Sequence, residues 1–405
     1  MLRHFARAAL AAVMVLGSGC ASGYMGTMMG SDDPPAPVLW KFEAVSWYNR
    51  YSMNSTVGPL IVGASVLYGG TYAYGDTKAS KLALVDPATG TARWRMDYGA
   101  AFGPLALERG MIAVTAGDSV LGLALESGIQ RWTVQAQPRS LTAAAGVVLV
   151  AERETIRALD IASGAQRWQA ASSTDPVAAG DTVIFMDGQF LRAVAADDGI
   201  GRWTLELPAP LAYPQSLLGD HLYILGAASL GSVNIKTRAL EWVAQIGSAP
   251  TGGMVGADDT LYFTTQTPSG SYVFHAFDPA TQKDRWSRPL ESSARVAPVV
   301  MGSLVATAAN SSAQSLVALS RSAGTVAWSA GAGSSVPVQP LLKGNVLYVA
   351  GQGPNRVYAF AADTGAALWS GRLWGWPMGM ALTDDGTLLV SADNLTLYAY
   401  RGTGQ

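Results

Sequence analysis

The sequence predicts an all-β fold, a single β-propeller of four-stranded blades, on three observations. Charged residues make up 14% of the 405 residues, against roughly 25% in an ordinary soluble domain, and their place is taken largely by 45 Gly and 20 Pro. That composition leaves little room for long amphipathic helices. Tryptophan recurs from residue 94 onward at intervals of 35 to 44 residues, the period of one propeller blade. Each of these tryptophans also follows a short turn rich in Asp, Ser, Thr and Gly, of the kind that joins two antiparallel strands.

The recurring segment reads Asp-x-x-(Thr/Ser)-Gly-x-x-x-Trp. Its first copy contains Asp86, Thr89, Gly90 and Trp94, and further copies end at Trp132, Trp168, Trp203, Trp242, Trp286, Trp328 and Trp369. The Asp or Asn side chain can accept a hydrogen bond from the turn amide two residues on, and the Gly supplies the positive φ that the hairpin needs at its last turn position. Gly fills that place as Gly90, Gly128, Gly164, Gly199, Gly324 and Gly365, but Arg238 and Gln282 replace it in the fifth and sixth copies. A side chain at positive φ costs on the order of 1 kcal/mol, so those two turns are expected to be built differently. The Asp varies more, surviving as Asp86, Asp160 and Asp278, with Asn234 as a near substitute. Trp is kept in every copy. Its bulk therefore matters more than the turn chemistry, and an indole on the outer strand can bury roughly 200 Å² between adjacent blades.

Upstream of each turn lie two more strands. In Val177–Met186 and Pro340–Val349, apolar residues flank Gly-Asp and Gly-Asn turns, a strong hairpin signal. The uncharged stretch Val296–Ser320 is long enough to span a bilayer, yet Pro298, Gly302, Asn310 and Gln314 interrupt it, so blade strands are the better reading.

The Ala-x-Asp-x-x-Thr-Gly-x-x-x-Trp segment resembles the PQQ-like, quinoprotein-type propeller repeat. Combined with the leader described below, the chain is most similar to the BamB family of outer-membrane assembly lipoproteins. The resemblance covers residues 38–405. The last unit, Met380–Tyr400, has no Trp of its own, and Trp40 stands early, in Val38-Leu-Trp-Lys-Phe-Glu, with no unit before it. The N-terminal strand around Trp40 is therefore expected to supply the missing outer strand of the last blade and to close the ring. This counts nine units, whereas the resemblance implies eight blades: either the ring is one blade larger or one unit is irregular and forms no separate blade, and eight is favoured.

The first 19 residues read as an export signal: Arg3 and Arg7, an apolar stretch Ala8–Leu16, then Gly17, Ser18 and Gly19. The apolar stretch is about half the roughly 20 residues that span a bilayer. Cys20, the only cysteine, follows these small residues and resembles the acylated cysteine of a lipobox, with Gly17 where an apolar residue is usual. The resemblance implies lipidation at Cys20, with Ala21 after it directing the protein to the outer membrane, facing the periplasm. Residues 20–37 are expected to form a flexible tether.

Composition argues against several chemistries. A net charge of −2 offers no basic field for nucleic acid. His221 and His275 are the only histidines beyond the leader, too few for a three-His zinc site, and there is no His-Glu-x-x-His, Gly-x-Ser-x-Gly or phosphate loop. The pairs Asp197–Asp198, Asp258–Asp259 and Asp384–Asp385 stand at hairpin positions and read as turn chemistry. Quinoprotein alcohol dehydrogenases share the repeat, and for them the resemblance implies PQQ, Ca²⁺ and a disulfide between adjacent cysteines. A chain with one cysteine cannot form that disulfide. No catalytic residue, metal site or cofactor is predicted. Surface aromatics remain: Trp374 and Trp376, with Trp47, Tyr48, Arg50 and Tyr51, fall where an outer strand returns to the next inner strand, and are candidates for binding a protein partner. The resemblance implies a non-enzymatic scaffold in outer-membrane β-barrel assembly, with a BamA-like barrel-assembly protein as partner. The alternatives are a PQQ-binding or oxidoreductase propeller and a generic envelope ligand-binding propeller.

Overall fold

The computed structural model describes residues 38–43, 53–74, 77–208, 211, 213–248, 250–294, 296–308 and 314–402. Those residues form strands, turns and bends. Their 36 strands make nine four-stranded antiparallel sheets, and eight of the sheets are built from four strands consecutive in sequence. We number the blades in chain order: blade 1 is residues 53–98, blade 2 is 102–135, blade 3 is 140–171, blade 4 is 177–206, blade 5 is 213–245, blade 6 is 255–290, blade 7 is 299–330 and blade 8 is 341–372. Blade 9 takes its three inner strands, Pro377–Leu382, Leu388–Ala392 and Thr396–Tyr400, from the end of the chain. Its outer strand, Val38–Glu43, comes from the beginning.

The ring has nine blades, not the eight expected. All nine sequence units form complete sheets, so none is irregular in the sense anticipated. The uncharged stretch 296–320 supplies the strands Val299–Met301, Leu304–Ala308 and Leu316–Ser320 of blade 7. No helix among the described residues is long and apolar enough to cross a membrane.

Ring closure is visible in the packing. Nine apolar clusters occupy nine junctions, each shared by two neighbouring blades. One of them joins Phe42, Leu389, Leu397 and Ala399 of blade 9 to Val66, Tyr68, Ala83 and Val85 of blade 1. The core is thus a circle of separate wedges. Each wedge is filled by the alternate side chains that the period-2 strands send to either face of a blade.

The closing strand pairs antiparallel, with Trp40 opposite Ala399 and Phe42 opposite Leu397. It also reproduces a detail common to the other eight blades. In every outer strand one residue is bulged just before the Trp: Leu39 here, and Arg93, Arg131, Arg167, Arg202, Glu241, Arg285, Ala327 and Leu368 elsewhere. A bulge re-aims the next side chain. Here it turns each indole toward the neighbouring blade.

Candidate functional site

Nine tryptophans belong to the nine junctions, one to each cluster: Trp40, Trp94, Trp132, Trp168, Trp203, Trp242, Trp286, Trp328 and Trp369. In six of them the indole N–H donates to a backbone carbonyl in the next blade. Trp40 bonds Pro87 at 2.9 Å, Trp94 bonds Leu125 at 2.7 Å, Trp132 bonds Ile161 at 2.9 Å, Trp168 bonds Ala196 at 2.8 Å, Trp286 bonds Arg321 at 2.8 Å and Trp328 bonds Ala362 at 3.1 Å. The acceptor always lies in the turn that ends with the repeat's glycine. That glycine is the seat of the ring. A Cβ added to Gly164 would lie 2.7 Å from Trp132, and one added to Gly90 would lie 2.6 Å from Trp40. In every blade but the first, where Leu84 faces Trp94, a small residue stands opposite the Trp across its own sheet and serves the same end, since a Cβ on Gly122 would fall 1.9 Å from the Trp132 ring.

The two turns without glycine keep the same backbone, contrary to the expectation that they are built differently. Arg238 and Gln282 adopt φ of 60° and 57°, and their amides donate to Asn234 and Asp278 at 2.8 Å, as Gly90 does to Asp86. Asn234 and Asp278 accept the following turn amides just as Asp86 does, which explains why the backbone holds. What changes is the tryptophan. With a Cβ on the seat, Trp203 and Trp242 make no hydrogen bond to the next blade's turn; Trp242 leans instead on Tyr223 and Phe277, with ring centroids 6.1 and 5.7 Å away. Trp369 is the other exception. Blade 9 has no turn joining its third and fourth strands, so the buried Trp369 N–H finds no acceptor, and the ring stacks on Tyr400 at 5.7 Å.

Trp374 and Trp376 behave differently from all nine. They are 56% and 57% exposed, beside Met378 at 42%. Their loop runs from the outer strand of blade 8 to the inner strand of blade 9, and its backbone is fixed to the turn at Asp393–Asn394. The Trp374 N–H donates to the Tyr398 hydroxyl at 3.0 Å, and the Trp374 carbonyl accepts from Asn394 Nδ2 at 2.6 Å. The Trp376 N–H donates to Asp393 Oδ1 at 2.8 Å, and its carbonyl accepts from the Asp393 N–H at 2.9 Å. Gly375 allows the approach, because a Cβ there would stand 2.3 Å from Asp393 Oδ1. Burial pushes the Asp393 carboxyl above its usual range, against amide hydrogen bonds, Trp376's among them, that pull it down. The Arg372 guanidinium lies 4.7 Å from the Trp374 ring centre. A loop held by its backbone thus presents two indoles outward. Trp47, Tyr48, Arg50 and Tyr51 lie outside the described residues, as does Cys20.

His275 is buried on Phe263 and bridges Thr265 Oγ1 and Asp284 Oδ2, both at 2.9 Å. His221 opens a strand of blade 5, its Nε2 3.2 Å from Glu241. Asp198 and Asp385 accept turn amides, whereas Asp258 and Asp259 pair with Arg321 and Arg285. Among the described residues no group of His, Cys, Asp and Glu is placed to hold a metal ion. The sequence reading missed the bulged arginines. Arg167 pairs with Asp160, Arg202 with Asp181 and Arg285 with Asp259, and the only signal was an Arg immediately before the Trp in five copies.

Fold and docking geometry together define a PQQ-like β-propeller whose blades are locked by an outer-strand tryptophan. The chain belongs to the family described as outer membrane protein assembly factor BamB, which matches residues 37–177, 78–288, 227–355 and 269–405. BamB from Moraxella catarrhalis is similar in structure, with a TM-score of 0.56 at 13% identity, covering 87% of this chain and 98% of that one. The computationally designed Ika8 protein superposes with a TM-score of 0.53 at 13% identity, covering 75% and 96%. The quinohemoprotein alcohol dehydrogenase of Comamonas testosteroni does so with 0.52 at 14% identity, covering 91% of this chain and 77% of that one. At such identities these structures share the fold. No curated protein matches the sequence.

Proposed function

We propose that this protein is a periplasm-facing lipoprotein, anchored through Cys20, whose propeller is a non-enzymatic scaffold in the assembly of β-barrel proteins into the outer membrane. Its partner is a BamA-like barrel-assembly protein. Family membership supports the role. The observation that carries the binding surface is the loop of Trp374 and Trp376, exposed side chains on a backbone that is itself pinned. Solvent-exposed indoles contribute little to the fold, and Trp with adjacent Arg is the usual chemistry of an interface hot spot. Pull-down from solubilised membranes followed by mass spectrometry tests this. The wild type should recover a barrel protein with periplasmic repeats, and the double substitution Trp374→Ala, Trp376→Ala should lose it with the melting temperature unchanged. Loss of thermal stability with capture intact would assign these rings to the fold instead.

The likeness to the quinohemoprotein dehydrogenase supports a weaker second reading as a quinone-binding propeller. The single cysteine does not fit the adjacent-cysteine disulfide of that class. Addition of PQQ and Ca²⁺ to the purified protein should give no bound-cofactor absorbance band.

A further inference from the structure

The junction of blades 5 and 6, like that of blades 4 and 5, has a side chain on the glycine's seat, and a cleft there leaves room for a ligand. Where a seated tryptophan would bond the carbonyl of Pro279, Trp242 does not, because Gln282 holds the glycine's place. A cleft of about 670 Å³ opens there, and Pro279 and Ala280 of the vacated turn form part of its wall. The corresponding groove between blades 7 and 8, where Trp328 is seated against Gly365, is about 460 Å³. A volume of several hundred Å³ with aromatic walls and a few directed polar groups is the usual form of a small-molecule site.

The chemistry of the walls selects the ligand. One side carries the rings of His221, Tyr223 and Trp242 in sequence, with centroids 6.5 and 6.1 Å apart. Among them stands Glu241, the bulged residue of this outer strand, where five other blades have Arg. Its carboxylate accepts from Ser232 Oγ at 3.2 Å and Asn234 Nδ2 at 3.1 Å, so its position is fixed. Across the cleft, Asp258 and Asp259 are each held by an arginine, Arg321 and Arg285, that is not part of the lining. Among the described lining residues there is no lysine or arginine, and Glu241 has no ion-pair partner except His221. An anion would meet carboxylates and no counter-charge. A cation would meet a fixed carboxylate beside aromatic faces.

We propose that this cleft binds a small organic cation, an ammonium group carried on an apolar body, with Glu241 as its counter-charge and Trp242 and Tyr223 as its platform. Calorimetric titration of the purified full chain with benzyltrimethylammonium chloride tests it. The neutral benzyl alcohol and the sugar maltotriose serve as the comparison probes. Saturable binding of the cation is expected, weakening as salt is raised and about tenfold tighter than benzyl alcohol, since a charge pair at a partly screened site is worth on the order of a factor of ten. Glu241→Gln should weaken it about tenfold. Gln282→Gly should abolish binding by letting the indole seat itself, with the melting temperature unchanged or raised, so that loss cannot be blamed on unfolding. Absence of saturable heat, equal binding by the wild type and both variants, or tighter binding of maltotriose than of the cation would each overturn the proposal.

Discussion

The junction of blades 2 and 3 and the junction of blades 5 and 6 are made from the same parts and reach different ends. In the first, Trp132 lies buried against Gly164, bonds the Ile161 carbonyl and faces Gly122 in its own blade. In the second, Trp242 has the same bulge behind it and the same turn before it, but Gln282 occupies the seat. The backbone tolerates the exchange because Asp278 caps the turn and the left-handed conformation costs only on the order of 1 kcal/mol. The indole does not tolerate it, because two atoms cannot share one position. A repeat protein can therefore lose one glycine and keep its ring, and at this junction a cleft stands beside the unseated indole. The junction of blades 8 and 9 makes a third case, in which the turn is missing altogether and stacked aromatic rings at Trp369, Tyr398 and Tyr400 take its place.

This comparison can be broken or sharpened by measurement. The largest effect expected is from Trp132→Ala, about 3–5 kcal/mol of stability by denaturant unfolding, since it empties a packed site and strands the Ile161 carbonyl. Trp242→Ala should cost about half as much or less; equal losses would mean that seating contributes nothing beyond burial. Next comes Gly164→Ala, about 2–4 kcal/mol from overpacking against the indole and positive φ together, set against about 1 kcal/mol for Gly180→Ala, which has positive φ and open space around it. If the two alanines cost the same, glycine is retained for its φ alone. Gln282→Gly should stabilise by about 1 kcal/mol, visible as a raised melting temperature.

The smallest effect concerns the turn carboxylates. Arg167, hydrogen-bonded to Asp160, holds its carboxyl at about 2, below the ordinary 3.8. Because the folded-state value is the lower one, the pair's contribution is fully present above about pH 4 and is lost as pH falls toward 2. Asp160→Asn keeps the turn's amide acceptor, as Asn234 does in blade 5, but removes the charge. The stability difference between wild type and variant should be constant above pH 4 and shrink below it; a difference that persists to pH 2 would assign the residue's role to the turn alone.

Much of the fold was legible in the sequence because blade structure is local. A hairpin is specified by its turn and the alternation on either side, and the Gly-Asp, Gly-Asn and Thr-Gly turns stand within ten residues of the strands they join. Closure was legible for a similar reason, as a Trp without a unit and a unit without a Trp. The exposed aromatic loop was legible only as a cluster. That its backbone is pinned by Asp393 and Asn394 while the rings face outward depends on a neighbouring turn some 20 residues on. The cleft left a trace, Gln282 in a glycine's place, but the trace was read as a matter of backbone cost.

The amino-acid sequence by itself determined the repeating unit, its turns and the strand that completes the last blade, since each follows from short-range periodicity and from the bulk of one conserved side-chain type along this chain. Only the tertiary structure decided that all nine units close as nine blades, and which indoles are seated, because both depend on the angle and space between sheets. That space is set by atoms of two blades meeting across a junction, where a single Cβ is enough to move a ring.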